Sequence, residues 1–487
     1  MKENEEHAAA RIEPSFGALR VLVAIASHGE KNRTFLKRVI AAYRAMRCGL
    51  ELVVNSDAPR TFEPGVRVIV GRPTRDPRSL PFAHKRLFAT NLERYDLFIY
   101  TEDDIEVTES NIRAFLRAST VLEPSEVAGH IRYEVGADGA VSVPDAHAQY
   151  HWRPESVRLR GEFTVAEFTN EHAGMYMLTQ AQLRRVIASG GYLRDSGEGR
   201  YGMLESAATD PFTRCGLRKV MCISALDEFL IHHLPNNYVG VMGTPLLDFR
   251  QQIDALTAIQ RGMWPVTTYC EVEPKVLQRN WSKRYDEKPG VELIRVLPLR
   301  PGASVLSVGS GAGEIELELR RRRLRITAVP LDSVSGYLLR HRGFEVVMST
   351  HEECGDALRG RTFDCVLIMN LLHLLPDWRR VLRRLGGVVG RNGTLVIAGY
   401  NFDYLPHRVK RLCRVGEFGR LRRFEEGGVH TEGVSRVSRE LVQLGFGIES
   451  LAWYDDAPPA SWARGRRWPP RMLRRNWIMR ARRRREV

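Results

Sequence analysis

The sequence lacks any run of about 18 apolar residues, so no membrane-spanning helix is expected. It also lacks a basic stretch followed by an apolar one at its start. Met1 to Pro14 is polar and holds four Glu, which gives no sign of a secretory leader and makes a cytoplasmic location the expectation. Cysteine is scarce. There are seven (Cys48, Cys215, Cys222, Cys270, Cys354, Cys365 and Cys413), and no two form a C-x-x-C pair. That speaks against a disulfide framework and a cysteine zinc site, and for reduced, buried thiols. Acidic residues are short in one half only. Residues 1–270 hold 32 basic and 33 acidic side chains, while 271–487 hold 41 and 25. The last 24 residues, from Arg464, carry eleven Arg against one Glu. The charge change marks a boundary near residue 270, and 487 residues exceed one ordinary core.

What is present is an alternation of apolar runs and amphipathic stretches. In the first half, Arg20–Ala26, Leu50–Val54, Val66–Val70 and Asp96–Tyr100 read as strands, with helices over Thr34–Met46 and Pro81–Tyr95. From Ala303 a second series begins, with strands at Ser304–Val308, Arg325–Val329, Glu345–Val347, Cys365–Met369 and Thr394–Ala398. This order predicts two α/β domains, each taking ligands beyond the C-terminal ends of its strands. The expected division is a first domain over 17–268, a connector and leading helix over 269–298, a second domain over 299–460 and a basic tail over 461–487.

Val305-Leu306-Ser307-Val308-Gly309-Ser310-Gly311-Ala312-Gly313-Glu314 reads as strand, glycine loop and helix start. Glycines let the backbone turn sharply and approach a ligand closely, and a helix N-terminus offers free N–H groups. Phe363–Met369 follows about 50 residues later, then Asn370-Leu371-Leu372-His373, a helix over Trp378–Leu385, Arg391-Asn392-Gly393-Thr394 and the late Glu440–Phe446 segment. Over roughly residues 280–455 this series resembles the class I S-adenosylmethionine-dependent methyltransferases of the small-molecule type. The resemblance implies a Rossmann-like domain whose Gly309, Gly311 and Gly313 bind S-adenosylmethionine, with Asn370 and His373 bordering the methyl-transfer site. Ser307 and Pro330 stand where the family usually has acids, which leaves Asp332 either to meet the cofactor ribose or to be a solvent-exposed turn residue. His373 is a candidate general base toward a sugar hydroxyl, since imidazole titrates near neutrality (about 6.5). A packing or loop-fixing role is its other reading.

Glu102, Asp103 and Asp104 lie directly after the apolar run that ends at Tyr100. Carboxylates crowded at such a point repel one another, and a divalent cation relieves the repulsion. Mg²⁺ and Mn²⁺ take such oxygen ligands. Downstream, Asp227-Glu228-Phe229-Leu230-Ile231-His232-His233-Leu234 reads as an amphipathic helix. Over about residues 17–265 the arrangement resembles the GT-A-fold glycosyltransferases, with their nucleotide-diphospho-sugar transferase sheet. The resemblance implies Mn²⁺ or Mg²⁺ on Glu102, Asp103 and Asp104 with His232 or His233, and Asp227 or Glu228 as the base toward the acceptor. It also implies that Ser27, His28 and Asp57 flank the donor's base and ribose and that His84 meets its diphosphate. A helix with Phe229, Leu230 and Leu234 in the core and its charges solvated is the alternative.

Arg464–Arg485 interleaves arginines with Trp468, Leu473, Trp477, Ile478 and Met479. It reads as a segment drawn to anionic lipid at the inner membrane face, as a solvated tail or, ranked below both, as a nucleic-acid contact. The joint expectation is a bifunctional glycan-assembly enzyme. It moves a sugar from a nucleotide-sugar donor to a glycan or lipid-linked glycan acceptor and methylates a glycan hydroxyl. The alternatives are a glycosyltransferase with a non-catalytic methyltransferase-like binding domain, and an RNA methyltransferase with an accessory α/β domain.

Overall fold

The computed structural model of the chain describes residues 16–62, 64–194, 199–276, 281–297, 299–455 and 470–484. The backbone divides into two compact units, Met1–Ala146 with Arg158–Leu246, and His147–Val157 with Leu247–Val487. The second unit therefore starts earlier than the charge boundary and takes a short excursion from the first half. Packing accounts for the excursion: Trp152 is buried, its ring centroid lies 5.5 Å from that of Phe249, and its Nε1 donates to Gln252.

The first unit includes β1 (Arg20–Ser27), α1 (Arg33–Arg44), β2 (Gly49–Ser56), β3 (Val66–Val70), α2 (Ala83–Thr90), β4 (Leu97–Glu102), β5 (Ile105–Glu106), α3 (Glu109–Val121), β6 (Ile131–Val135), β7 (Met175–Thr179), α4 (Leu226–Phe229) and β8 (Leu230–His233), with further strands and helices between. β1 is buried along nearly its whole length, as a central parallel strand covered on both faces must be. α1 buries Leu36, Val39, Ile40 and Tyr43, the spacing of one helical face. β1 pairs in parallel with β2 and β4, β2 with β3, and β7 closes the other edge antiparallel to β4. Strand order reverses at β1, so a crevice opens at the C-terminal ends of β1, β2 and β4.

The helix expected over Asp227–Leu234 stops after one turn. Leu230–His233 instead forms β8, parallel to β6 and antiparallel to β5. Pro235 follows, and proline cannot continue a helical ladder. Successive strand side chains point to opposite faces, which separates His232 from His233.

The second unit contains β9 (Ser304–Ser310), α5 (Glu314–Arg321), β10 (Arg325–Pro330), α6 (Ser333–His341), β11 (Glu345–Val346), β12 (Phe363–Met369), α7 (Trp378–Gly387), β13 (Val389–Tyr400), α8 (Val434–Gln443), β14 (Phe446–Tyr454) and β15 (Asn476–Arg483). Their sheet order is β11-β10-β9-β12-β13-β15-β14, with β15 antiparallel to both neighbours. The expected tail is thus, over Asn476–Arg483, an interior strand. Trp477, Ile478, Met479 and Ala481 are at most 4% exposed, so three of the apolar side chains that suggested a lipid-facing segment, Trp477, Ile478 and Met479, belong to the core. Arg480 and Arg482 both pair with Glu449 of β14. Residues 456–469 and 485–487 lie outside the described residues. Among the described residues no helix is long and apolar enough to cross a membrane.

Candidate functional site

In the second unit strand order reverses at β9, between β10 and β12, and the glycine loop lies at that point. Gly309 (φ 77°) and Gly313 (φ 94°) are left-handed, a conformation that favours glycine. Gly311 is required for a different reason. A Cβ there would fall 2.7 Å from Tyr285 Cα and 2.8 Å from its carbonyl carbon. The next amide, that of Ala312, donates to the Tyr285 carbonyl at 2.7 Å. The connector therefore runs against the loop.

The acid that the family resemblance expects at Ser307 comes from elsewhere. Glu316 of α5, 2% exposed, accepts hydrogen bonds from Ser307 Oγ (2.6 Å) and Ser310 Oγ (2.7 Å). Pro330 ends β10 and is buried. Asp332 caps α6: its Oδ1 accepts the Ser335 amide at 2.8 Å, and its Oδ2 accepts the Tyr285 hydroxyl at 2.6 Å. Burial, and then the Asp332 charge, hold the Tyr285 phenol well above its ordinary pKa, so it remains a donor.

Asn370, after β12, has φ 48°, a strained backbone for a residue with a side chain. Its Nδ2 donates to Glu287 Oε1 at 2.6 Å, while its Oδ1 is buried without a partner. Lys283, 2% exposed, pairs with Glu287 and donates to the Met369 carbonyl at 2.8 Å. The structure thus gathers the glycine loop, Asp332 and Asn370 at the ends of β9, β10 and β12. Around them it places Lys283, Tyr285 and Glu287, which sequence reasoning did not single out. The only signal pointing to these three is that the family resemblance begins near residue 280. The orphaned Asn370 oxygen, the left-handed backbone and the close-approach glycines fit a polar ligand such as S-adenosylmethionine.

His373 is also buried. Its Nε2 lies 2.6 Å from the Trp281 carbonyl, which can only accept, so the proton sits on Nε2 and Nδ1 carries the free lone pair. Nδ1 has no partner, and burial lowers the pKa to about 4, so the ring is neutral. It lines a cavity of about 30 Å³ with Trp378, Tyr400, Phe402, His430 and Trp477. Trp378 Nε1, buried in the same wall, also lacks a partner.

In the first unit, Ser27 at the end of β1 donates to Asp103 Oδ2 (2.6 Å) and accepts from Arg60 (2.8 Å). Asn32 Nδ2 donates to Asp103 Oδ1 (2.8 Å) and to Asp104 Oδ2 (3.0 Å). Asp57, beyond β2, accepts the Gly29 amide at 3.1 Å and faces His28 Nδ1 at 3.2 Å. Asp104 Oδ1 and both amide atoms of Asn55 are buried without hydrogen-bond partners, and Arg60 Nε has only the Glu30 carboxylate at 3.7 Å. Ser27, His28, Asp57, Asp103 and Asp104 therefore share one crevice. Burial, and then the Asp104 charge, raise the pKa of Glu102. Burial opposes a charge on His233, but Asp104 and Glu134 outweigh it and raise its pKa.

Other expected members of this site are corrected. Among the described residues, no group of three or more His, Cys, Asp or Glu is arranged to hold a metal ion, so the expected Mn²⁺ or Mg²⁺ set of Glu102, Asp103, Asp104, His232 and His233 is not formed. Asp103 is engaged by Ser27 and Asn32, and His233 Nδ1 by Glu134 at 2.6 Å. His232 points to the other face and stacks on Tyr133, with centroids 4.8 Å apart. The Glu228 carboxylate pairs with Arg117 at 2.9 Å rather than joining the acids after β4. Asp227 precedes it, exposed, on the single turn of α4. His84 is a core residue. It is fully buried, bonds to Tyr176 Oη (2.6 Å) and stacks on Tyr100, and burial holds its pKa well below the usual range.

The family described as Methyltransferase domain matches residues 281–449. No curated protein matches the chain. Among solved structures, the chain is similar to a SAM dependent methyltransferase from Archaeoglobus fulgidus, with 14% identity over 39% of this chain and 91% of that one and a TM-score of 0.32. It is similar to another from Methanosarcina mazei, with 17% identity over 41% and 100% and a TM-score of 0.30. The magnesium protoporphyrin IX methyltransferase of Synechocystis with bound SAM gives 13% identity over 38% and 71%, with a TM-score of 0.26. The C-terminal region is a class I S-adenosylmethionine-dependent methyltransferase domain of Rossmann-like fold.

Proposed function

We propose that the C-terminal domain methylates a hydroxyl of a glycan. The observation that carries this reading is His373: a neutral imidazole whose tautomer is fixed by the Trp281 carbonyl, whose buried Nδ1 makes no hydrogen bond and whose residue lines a small aromatic cavity. Gly309, Gly311, Gly313, Asp332 and Asn370 would hold S-adenosylmethionine, which supplies an electrophilic methyl group on a sulfonium. The chain's own part is to orient the acceptor hydroxyl against the aromatic walls, exclude water and receive the hydroxyl proton at His373 Nδ1. General-base assistance of this kind contributes roughly 10²–10⁴-fold. Transfer of labelled methyl groups to a panel of hydroxylated glycans tests the reading. H373N should lower kcat by about that factor with little change in KM. An unaltered kcat in H373N, or no transfer to any glycan, would count against it.

A second reading, transfer of a sugar from a nucleotide-sugar donor by the N-terminal unit, is favoured by the first unit's crevice. There Ser27, Asp57, Asp103 and Asp104 meet beside the unpartnered side-chain amide of Asn55. The acids after β4 are not arranged as metal ligands, so no step is assigned to a metal. Hydrolysis of nucleotide sugars, with and without Mn²⁺, measures this reading. It fails if no donor is bound or hydrolysed and D104A changes nothing.

A further inference from the structure

Four acceptor or donor groups at the ends of β9, β10 and β12 would meet a cofactor, and one short segment of this chain already occupies all four. At β9, the Tyr285 carbonyl takes the Ala312 amide. At β10, the Tyr285 hydroxyl occupies Asp332 Oδ2, whose sister oxygen is taken by Ser335. At β12, the Lys283 ammonium fills the Met369 carbonyl, and the Glu287 carboxylate takes the Asn370 amide. The groups that this segment presents are an ammonium, a carboxylate and a ring-borne hydroxyl. S-adenosylmethionine carries the same three kinds: the ammonium and carboxylate of its methionine part and the hydroxyls of its ribose.

We infer that Lys283–Glu287 is an internal ligand that closes the cofactor crevice and must withdraw before S-adenosylmethionine binds. This rests on the methyl-transfer reading. The segment is fixed from behind as well. The Tyr285 ring stacks on His151, with centroids 4.9 Å apart, the Tyr285 amide donates to the Ala148 carbonyl at 2.7 Å, and the Ala148 amide donates to Asp286 at 3.1 Å. Lys283 is almost wholly buried, so its bond to the Met369 carbonyl is shielded from water. A crevice open for a fraction f of the time binds with an apparent Kd raised by 1/f. Loosening the segment therefore tightens binding with no new contact to the cofactor.

The test is calorimetric titration of S-adenosylhomocysteine into the full chain, as wild type, Y285F and K283M, with hydrogen exchange at the Tyr285 amide. Y285F removes the donor to Asp332, and K283M removes the ammonium from Met369. Each variant should bind at least roughly tenfold more tightly than wild type. In the wild type, saturating S-adenosylhomocysteine should speed exchange at the Tyr285 amide, because its bond to Ala148 opens. That second measurement needs no variant to fold. Weaker binding in both variants, with slower Tyr285 exchange in the wild type, would mean that Lys283 and Tyr285 hold the cofactor; it would overturn the internal ligand and leave methyl transfer standing. If S-adenosylhomocysteine produces neither heat nor an exchange change in any folded form, the methyl-transfer reading falls and the internal ligand falls with it.

Discussion

Gly311→Ala tests how tightly the connector is seated on the glycine loop. The added Cβ would lie 2.7 and 2.8 Å from the Tyr285 Cα and carbonyl carbon and closer still to its oxygen. All three are backbone atoms, so no rotamer change relieves the clash, and the segment has to back away. Overpacking of this kind costs about 1–3 kcal/mol. Stretching the 2.7 Å bond from the Ala312 amide to the Tyr285 carbonyl adds about 1 kcal/mol. Gly311 is not in the left-handed region, so backbone strain adds nothing. A total of about 2–4 kcal/mol corresponds to a loss of protection at the Ala312 amide of roughly 30- to 900-fold in native-state hydrogen exchange. The amide reports local opening, so separate unfolding of the two units does not confuse it. Gly387→Ala is the control: it lies at the end of α7, and a Cβ there meets nothing within 4 Å. It should leave Ala312 protection unchanged. The reasoning is refuted if Gly311→Ala keeps Ala312 protection within about threefold of wild type, as for any surface change.

The buried Lys85–Asp210 pair, 4% and 1% exposed at its side chains, supports the first unit's core. K85M leaves the buried Asp210 charge with only the ion pair to Arg214 Nε at 3.3 Å and should cost about 3 kcal/mol in urea unfolding, with part recovered in K85M/D210N; equal loss in the single and double variants would reject the pairing. Burial pushes the pKa of Glu126 up, but hydrogen bonds from Arg160 and Arg158 outweigh it and bring it down to about 2. A depressed carboxyl pKa gives stability that is complete above the ordinary value of 4.5 and drains as pH falls toward 2. Wild type should therefore lose more stability than E126Q between pH 4.5 and 2, and parallel acid-unfolding curves would contradict the assignment.

What was legible in the sequence was local. β1 and β12 announce themselves because a parallel strand buried on both faces is a continuous apolar run. The glycine loop is legible because left-handed backbone at Gly309 and Gly313 admits few other residues. β15 was hidden by its own arginines. Composition reads Asn476–Arg483 as a basic tail, while Trp477, Met479 and Ala481 enter one core cluster, Ile478 enters another and Arg480 and Arg482 pair with Glu449, the pattern of a strand covered on both faces. The same alternation of faces separates His232 from His233, which the family resemblance had offered as alternative ligands. At the site the failures are of one kind: the sequence marks where a close approach happens, not what approaches. The carboxylate missing at Ser307 is displaced rather than absent, delivered by Glu316 one helix turn into α5. The group pressing on Gly311 comes from Tyr285, in a connector without periodicity whose partners, Ala312 and Asp332, are reached only once the sheet has formed. A glycine loop by itself therefore establishes a tight backbone contact at the strand ends. Here that contact is made by a carbonyl of the same chain, which makes displacement of Tyr285 the step on which cofactor entry turns.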